Sequence, residues 1–141
     1  MKIAVDFDGT IVEHRYPEIG KELPFATETL KALIKDQHQL ILWTVREGKL
    51  LDDAVEWCRE RGVEFWCVNK NFPEETEENI HYHRKINADV FIDDSMVGGM
   101  PDWGEIYQMI KEGKSYRQIL RGSLGMPTPD QKPKKKHWWN L

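Results

Sequence analysis

Four short apolar runs, separated by amphipathic helical stripes, constrain this chain more than any other feature. Ile3-Ala4-Val5, Leu40-Ile41-Leu42-Trp43, Val63 to Val68 and Asp89 to Ile92 each read as a buried strand. Between and after them lie helical patterns. Pro24 opens one, with Phe25, Leu30, Leu33 and Ile34 on a common face up to about Gln37. Leu50, Leu51, Ala54, Val55 and Cys58 form another, closed by Gly62 as C-cap. Ile106, Met109 and Ile110 fit a third before Gly113, and Tyr116, Ile119 and Leu120 fit a short last element. Strands alternating with helices predict right-handed crossovers and an α/β fold: a Rossmann-like three-layer sandwich around a mainly parallel sheet. Sheets of this kind bind ligands at the carboxyl ends of their strands.

Three of the four runs end in reactive polar residues: Asp6 and Asp8 after the first, Thr44 after the second, Asp93 and Asp94 after the fourth. The topology would gather them at one edge of the sheet. Four carboxylates crowded together raise one another's pKa unless a cation is present. The cation that suits them is hard and oxygen-seeking, and Mg²⁺ commonly takes one or two carboxylates with water and substrate phosphate. His81 and His83 lie in a polar stretch without a second ligand pair and read as a solvated loop rather than a zinc site.

Carboxylates with a metal point to phosphoryl transfer. An aspartate can act as nucleophile and form an aspartyl-phosphate. A second carboxylate two residues on is placed to protonate a leaving group and then activate water. Gly9 permits a sharp turn whose N–H groups can cradle phosphate oxygens. Thr44 can donate its hydroxyl to another oxygen, and a lysine is needed to hold the phosphate; Lys85 lies just before the fourth strand. Neither a P-loop nor a G-x-G-x-x-G is present, which argues against a Walker-type kinase or a dinucleotide enzyme.

Val5-Asp6-Phe7-Asp8-Gly9-Thr10-Ile11-Val12 resembles the first motif of the haloacid dehalogenase (HAD) superfamily of phosphohydrolases, D-x-D-G-T between apolar residues. Leu40 to Thr44 resembles its second motif; Lys85 and Phe91-Ile92-Asp93-Asp94 resemble its third and fourth, in order. The resemblance spans residues 2 to about 110. It implies a Rossmann-like core, Mg²⁺ dependence and hydrolysis of a phosphate monoester. Carried over, Asp6 is nucleophile and metal ligand, and Asp8 is general acid/base and lends its backbone carbonyl to the metal. Thr44 and Lys85 bind the phosphoryl group, and Asp93 with Asp94 completes the metal site. The stretch from Lys85 to Trp103 is also similar to small 5′-nucleotidases of the superfamily. A receiver-like phospho-acceptor is the non-enzymatic rival, and a binding module that has lost catalysis is another.

Only 33 residues separate Thr10 from Thr44 and 40 separate Thr44 from Lys85, which leaves no room for a folded cap domain. The resemblance is therefore to the small capless group, whose open site admits a phosphorylated small molecule or macromolecule. Substrate contacts by Arg46, Lys70 or Arg84 stay open; Arg46 reads most simply as a surface residue beside a helix. Trp43, Trp57 and Trp66 read as core aromatics, and the glutamates at 74, 75, 77 and 78 as a solvated helix start.

Charge and composition bound the partners. Residues 1–129 carry 16 basic and 23 acidic side chains, so the body is acidic and ill suited to nucleic acid. No apolar run exceeds about five residues, too short to span a bilayer. Charges at Lys2 and Asp6 interrupt any signal-peptide pattern, and Cys58 and Cys67 lack C-x-x-C spacing, so reduced thiols in a cytoplasmic protein are expected. Residues 1–121 read as one catalytic domain. Residues 122–141 read as a tail rich in Pro, Lys and Trp; Trp138 and Trp139 suggest docking on the same chain or on a second copy, as a homo-oligomer contact or a lid.

Overall fold

The computed structural model describes residues 1–79, 84–114 and 125. They fall in two compact units, the first Met1–Gly104 and the second beginning at Glu105. The expected tail boundary at 121/122, His81, His83 and the tail's proposed docking all lie outside the described residues.

The fold is α/β and Rossmann-like. Strands β1 (Lys2–Val5), β2 (Gln39–Leu42), β3 (Cys67–Val68) and β4 (Val90–Ile92) form one sheet in the order β3-β2-β1-β4, with every pairing parallel. β1 and β2 are the central strands. Their apolar residues, Ile3 to Val5 and Leu40 to Leu42, are at most 1% exposed, as two-sided coverage of a parallel sheet requires. β1 pairs with β2 on one side and β4 on the other, so the chain's winding reverses at β1. A crevice at the carboxyl end of that reversal is the usual ligand position in such sheets.

Helices α1 (Ala26–Lys35) and α2 (Gly48–Glu60) follow β1 and β2, and α3 (Trp103–Glu112) follows β4. Ala26, Leu30 and Leu33 of α1 are fully buried at i, i+4 and i+7. The Glu22 carboxylate accepts from Thr27 N–H at 2.7 Å, satisfying an orphan donor of the first turn. Both α1 and α2 end in Schellman turns. After α1, His38 N–H reaches Leu33 O at 3.1 Å, with Gln37 left-handed at φ 67°. After α2, Val63 N–H reaches Cys58 O at 2.9 Å, with Gly62 at φ 82°, as its predicted cap role demands.

That second turn shortens the third strand. A strand was expected from Val63, but Val63 closes α2, and pairing begins only where Trp66 N–H meets Leu40 O at 2.8 Å. The expected helix start at Glu74 is also absent: residues 72–79 form turns. Glu75 is 3% exposed rather than solvated, because its carboxylate accepts from Asn71 N–H and Asn71 Nδ2, each at 2.7 Å.

Residues 11–23 double back as a narrow strap rather than a cap. Val12 bridges Asp8 and Glu22, Glu13 N–H bonds Lys21 O at 2.7 Å, and Leu23 N–H bonds Ile11 O at 2.8 Å. No helix among the described residues is long and apolar enough to cross a membrane.

Candidate active site

β1 and β4 end side by side, and Asp6 N–H donates to Ile92 O at 2.9 Å just past their last pair. This places Asp6 beside Asp93 and Asp94. One carboxylate oxygen from each of the three lies within 4.8 Å of the others. Burial lifts Asp6 from 3.8 to about 7; Phe7 N–H opposes the rise, and the charges of Asp93 and Asp94 add to it. Ser95 N–H holds Asp93 Oδ1 at 2.8 Å.

Between Asp6 and Asp8 on one side and α1 on the other, the chain makes a tight turn. Phe7 O accepts from Thr10 and Ile11 N–H at 3.2 and 2.9 Å. Gly9 sits at φ 81°, and a Cβ on it would lie 2.7 Å from Asp94 Cγ, so only glycine lets the turn approach β4. The predicted phosphate-cradling role of Gly9 needs correction, because its N–H is already engaged by Val12 O at 2.7 Å. What Gly9 contributes is space. Thr10, which the sequence reading left outside the site, is fully buried at its centre. Its hydroxyl lies 3.1 Å from Asp94 Oδ1 and 3.4 Å from Asp6 Oδ2, and accepts from Asp94 N–H at 3.0 Å. Trp103 indole N–H donates to Thr10 O at 2.9 Å and fixes the turn from below.

Asp8 does not join the three-carboxylate group. Its two oxygens accept from Arg46 Nε and Nη2, both at 2.7 Å, in a bidentate pair. The expectation of four crowded carboxylates is thus reduced to three and a neutralised fourth. Arg46 is 1% exposed, so neither the surface reading nor substrate contact fits it. Asp8 raises the proton affinity of its guanidinium further by hydrogen bonding.

The four aspartates open on a cavity of about 440 Å³, which Thr44 also lines. Thr44 N–H is held by Asn69 Oδ1 at 2.9 Å, and its hydroxyl accepts from Arg46 N–H at 3.1 Å, which leaves the hydroxyl proton to donate elsewhere. His14, Tyr16, Trp43, Val45 and Ser95 complete the lining. Trp43 accordingly packs on the Ala4, Ile41, Cys67 and Ile86 cluster and also faces the cavity, while Trp57 meets Phe7 edge-on at 5.8 Å.

Lys85 is absent from the cavity lining, and its ammonium stands 5.4 Å from the Phe91 ring. Lys70 and Arg84 also lie outside the lining. Among the described residues, His14 is the cavity-lining side chain able to carry positive charge, and no spacing in the sequence marks it.

No family model matches the chain, and no curated protein matches it. Among solved structures it is similar to a conserved protein coded by a locus from Bacteroides thetaiotaomicron, at 64% identity and a TM-score of 0.80. The match covers 84% of this chain and 96% of that one. With identity that high over nearly the whole of the other chain, this protein belongs to the same family as that conserved Bacteroides protein.

Proposed function

We propose that the chain is a Mg²⁺-dependent HAD-type phosphatase that hydrolyses a phosphate monoester through an aspartyl-phosphate on Asp6. The observation that carries this reading is the convergence of Asp6, Asp93 and Asp94 within 4.8 Å, on a cavity that Asp8 and Thr44 share. The donor set is all carboxylate oxygen, without thiol or imidazole in the group, and fits a small hard cation. Asp6, Asp93 and Asp94 would hold Mg²⁺, with the Asp8 backbone carbonyl beside them. When bound, the ion would supply positive charge beside these carboxylates that offsets charge built up during transfer.

The side chains divide the remaining work. An Asp6 oxygen attacks phosphorus, and the bond to the leaving oxygen breaks as the Asp6 O–P bond forms. Asp8 is the residue that, by the HAD resemblance, passes a proton to that leaving oxygen. Water then attacks the phosphorus of the aspartyl-phosphate and gives a proton to Asp8, and Asp6 leaves as carboxylate with release of phosphate. Thr44 donates its free hydroxyl proton to a phosphoryl oxygen. The role expected of Lys85 has no occupant in the described cavity lining other than His14.

Tyr16 and Trp43 beside the carboxylates favour a substrate with a planar ring, as in the 5′-nucleotidase-like reading. Cys58 and Cys67 are free and buried, and burial pushes their thiols up to about 12 and about 11. Such inert thiols suit a reducing compartment such as the cytoplasm.

The test is phosphate release from a panel of sugar phosphates, nucleotides and aryl phosphates with Mg²⁺. Turnover that needs Mg²⁺ and disappears in Asp6→Asn supports the proposal. Absence of release from every ester contradicts it and favours a phospho-acceptor or a binding module.

A further inference from the structure

β2 runs out of backbone partners just where it delivers Thr44 to the cavity. On the β1 side, Trp43 N–H still donates to Val5 O at 2.8 Å. On the β3 side, the last ladder bond runs from Asn69 N–H to Leu42 O, also at 2.8 Å. In a parallel ladder the residue that donates to Leu42 would accept from Thr44 through its own carbonyl. Asn69 stands at φ 53°, a left-handed conformation that takes its carbonyl out of strand geometry and that asparagine tolerates. Its side chain replaces the missing acceptor: Thr44 N–H donates to Asn69 Oδ1 at 2.9 Å.

The loop that carries this amide is tied down on both sides. The Cys67 thiol donates to Lys70 O at 3.1 Å. Asn71 N–H and Nδ2 are held by the buried Glu75 carboxylate, and Asn71 Oδ1 accepts from Asn87 N–H at 2.6 Å. Asn69 itself does not line the cavity. Thr44 does, and its hydroxyl oxygen accepts from Arg46 N–H at 3.1 Å. Two contacts, one from the loop after β3 and one from the turn before α2, therefore fix Thr44 and leave its hydroxyl proton to donate.

We propose that Asn69 is a positioning residue for phosphate recognition, acting through Thr44: its amide oxygen holds the end of β2 so that the Thr44 hydroxyl points its proton at a phosphoryl oxygen. The inference rests on the phosphatase reading, in which Thr44 is that donor. A single hydroxyl donor is useful only where it is held before the ligand arrives, because a misplaced group loses most of its effect.

Asn69→Gly removes the amide, and glycine adopts φ 53° without strain, so the variant is expected to fold. With Mg²⁺ and an ester that the parent turns over, its kcat/KM is expected to fall about 10-fold, and Ki for inorganic phosphate to rise by about the same factor. Its melting temperature should also fall, because the N–H at position 44 loses its acceptor. Thr44→Val separates the two effects, since it keeps that N–H and lacks the hydroxyl. In the Thr44→Val background, Asn69→Gly should lower the melting temperature as before and change kcat/KM and Ki less than about twofold. Parent-like kcat/KM and Ki in Asn69→Gly, or the same fold loss in both backgrounds, would overturn the positioning role while leaving the phosphatase reading intact. Parent-like kinetics in Thr44→Val would do the same. A parent chain that releases phosphate from no ester with Mg²⁺ would overturn both.

Discussion

Thr10 and Asp94 hold each other across 84 positions of sequence: the Thr10 hydroxyl lies 3.1 Å from Asp94 Oδ1 and accepts from Asp94 N–H at 3.0 Å. The first turn of the chain thereby sets the angle at which the last site carboxylate enters the cavity. Thr10→Val keeps the shape and removes both contacts. Partners of this kind typically alter metal affinity by about 10- to 100-fold. The Mg²⁺ concentration for half-maximal turnover is expected to rise by about that factor, while the melting temperature moves little. An unchanged Mg²⁺ dependence would show that Thr10 only fills space.

Gly9 provides a second check on the same junction. An added methyl meets Asp94 Cγ at 2.7 Å and is strained at φ 81°. Gly9→Ala must therefore move the Asp94 side chain or the turn, with a loss of roughly 1–3 kcal/mol of stability and a large fall in turnover. Thermal melting and kinetics read the two effects separately. Full activity at the parent's melting temperature would contradict the close approach.

The proton affinity of Asp6 makes stability depend on pH in a definite direction. The unfolded carboxyl titrates near 3.8 and the folded one at about 7, so the fold favours the protonated form. The stability contributed by this group is fully present below 3.8, declines as pH rises toward about 7 and is flat above. Asp6→Asn should remove that decline, so the metal-free variant melts higher than the metal-free parent at about pH 8 and not at about pH 4. Mg²⁺, which binds the ionised carboxylates, should stabilise the parent more at the higher pH. Identical pH profiles for parent and variant would argue that Asp6 titrates normally.

Much of the fold was legible because its signals are local. The apolar runs at Ile3–Val5 and Leu40–Leu42 are long enough to identify central strands, and Gly62 ends its helix by a conformation that glycine adopts readily. The carboxylates at strand ends followed from topology alone. The misreadings concern partners that no periodic pattern in the sequence marks. Arg46 looked superficial because nothing nearby in sequence shows that Asp8 waits for it, although an excess of carboxylate was a signal that a cation was needed. Glu75 looked solvated because its partner, Asn71, sits in a turn with no periodic pattern. The expected third strand failed at Val63 because helix capping and strand pairing compete for the same N–H. The reading of Lys85 as the phosphate lysine rests on its order along the chain, and Lys85 does not line the cavity.

The covalent step is the centre of this account, and trapping it is the most direct measurement. The chain is mixed with a ³²P-labelled ester that it turns over, in the presence of Mg²⁺, quenched in acid within milliseconds and mapped by peptide mass spectrometry. The expected result is a phosphoenzyme stable in acid, cleaved by hydroxylamine as an acyl phosphate is, located on Asp6 and absent from Asp6→Asn. Turnover without any trapped label, or label on a residue other than Asp6, would contradict it.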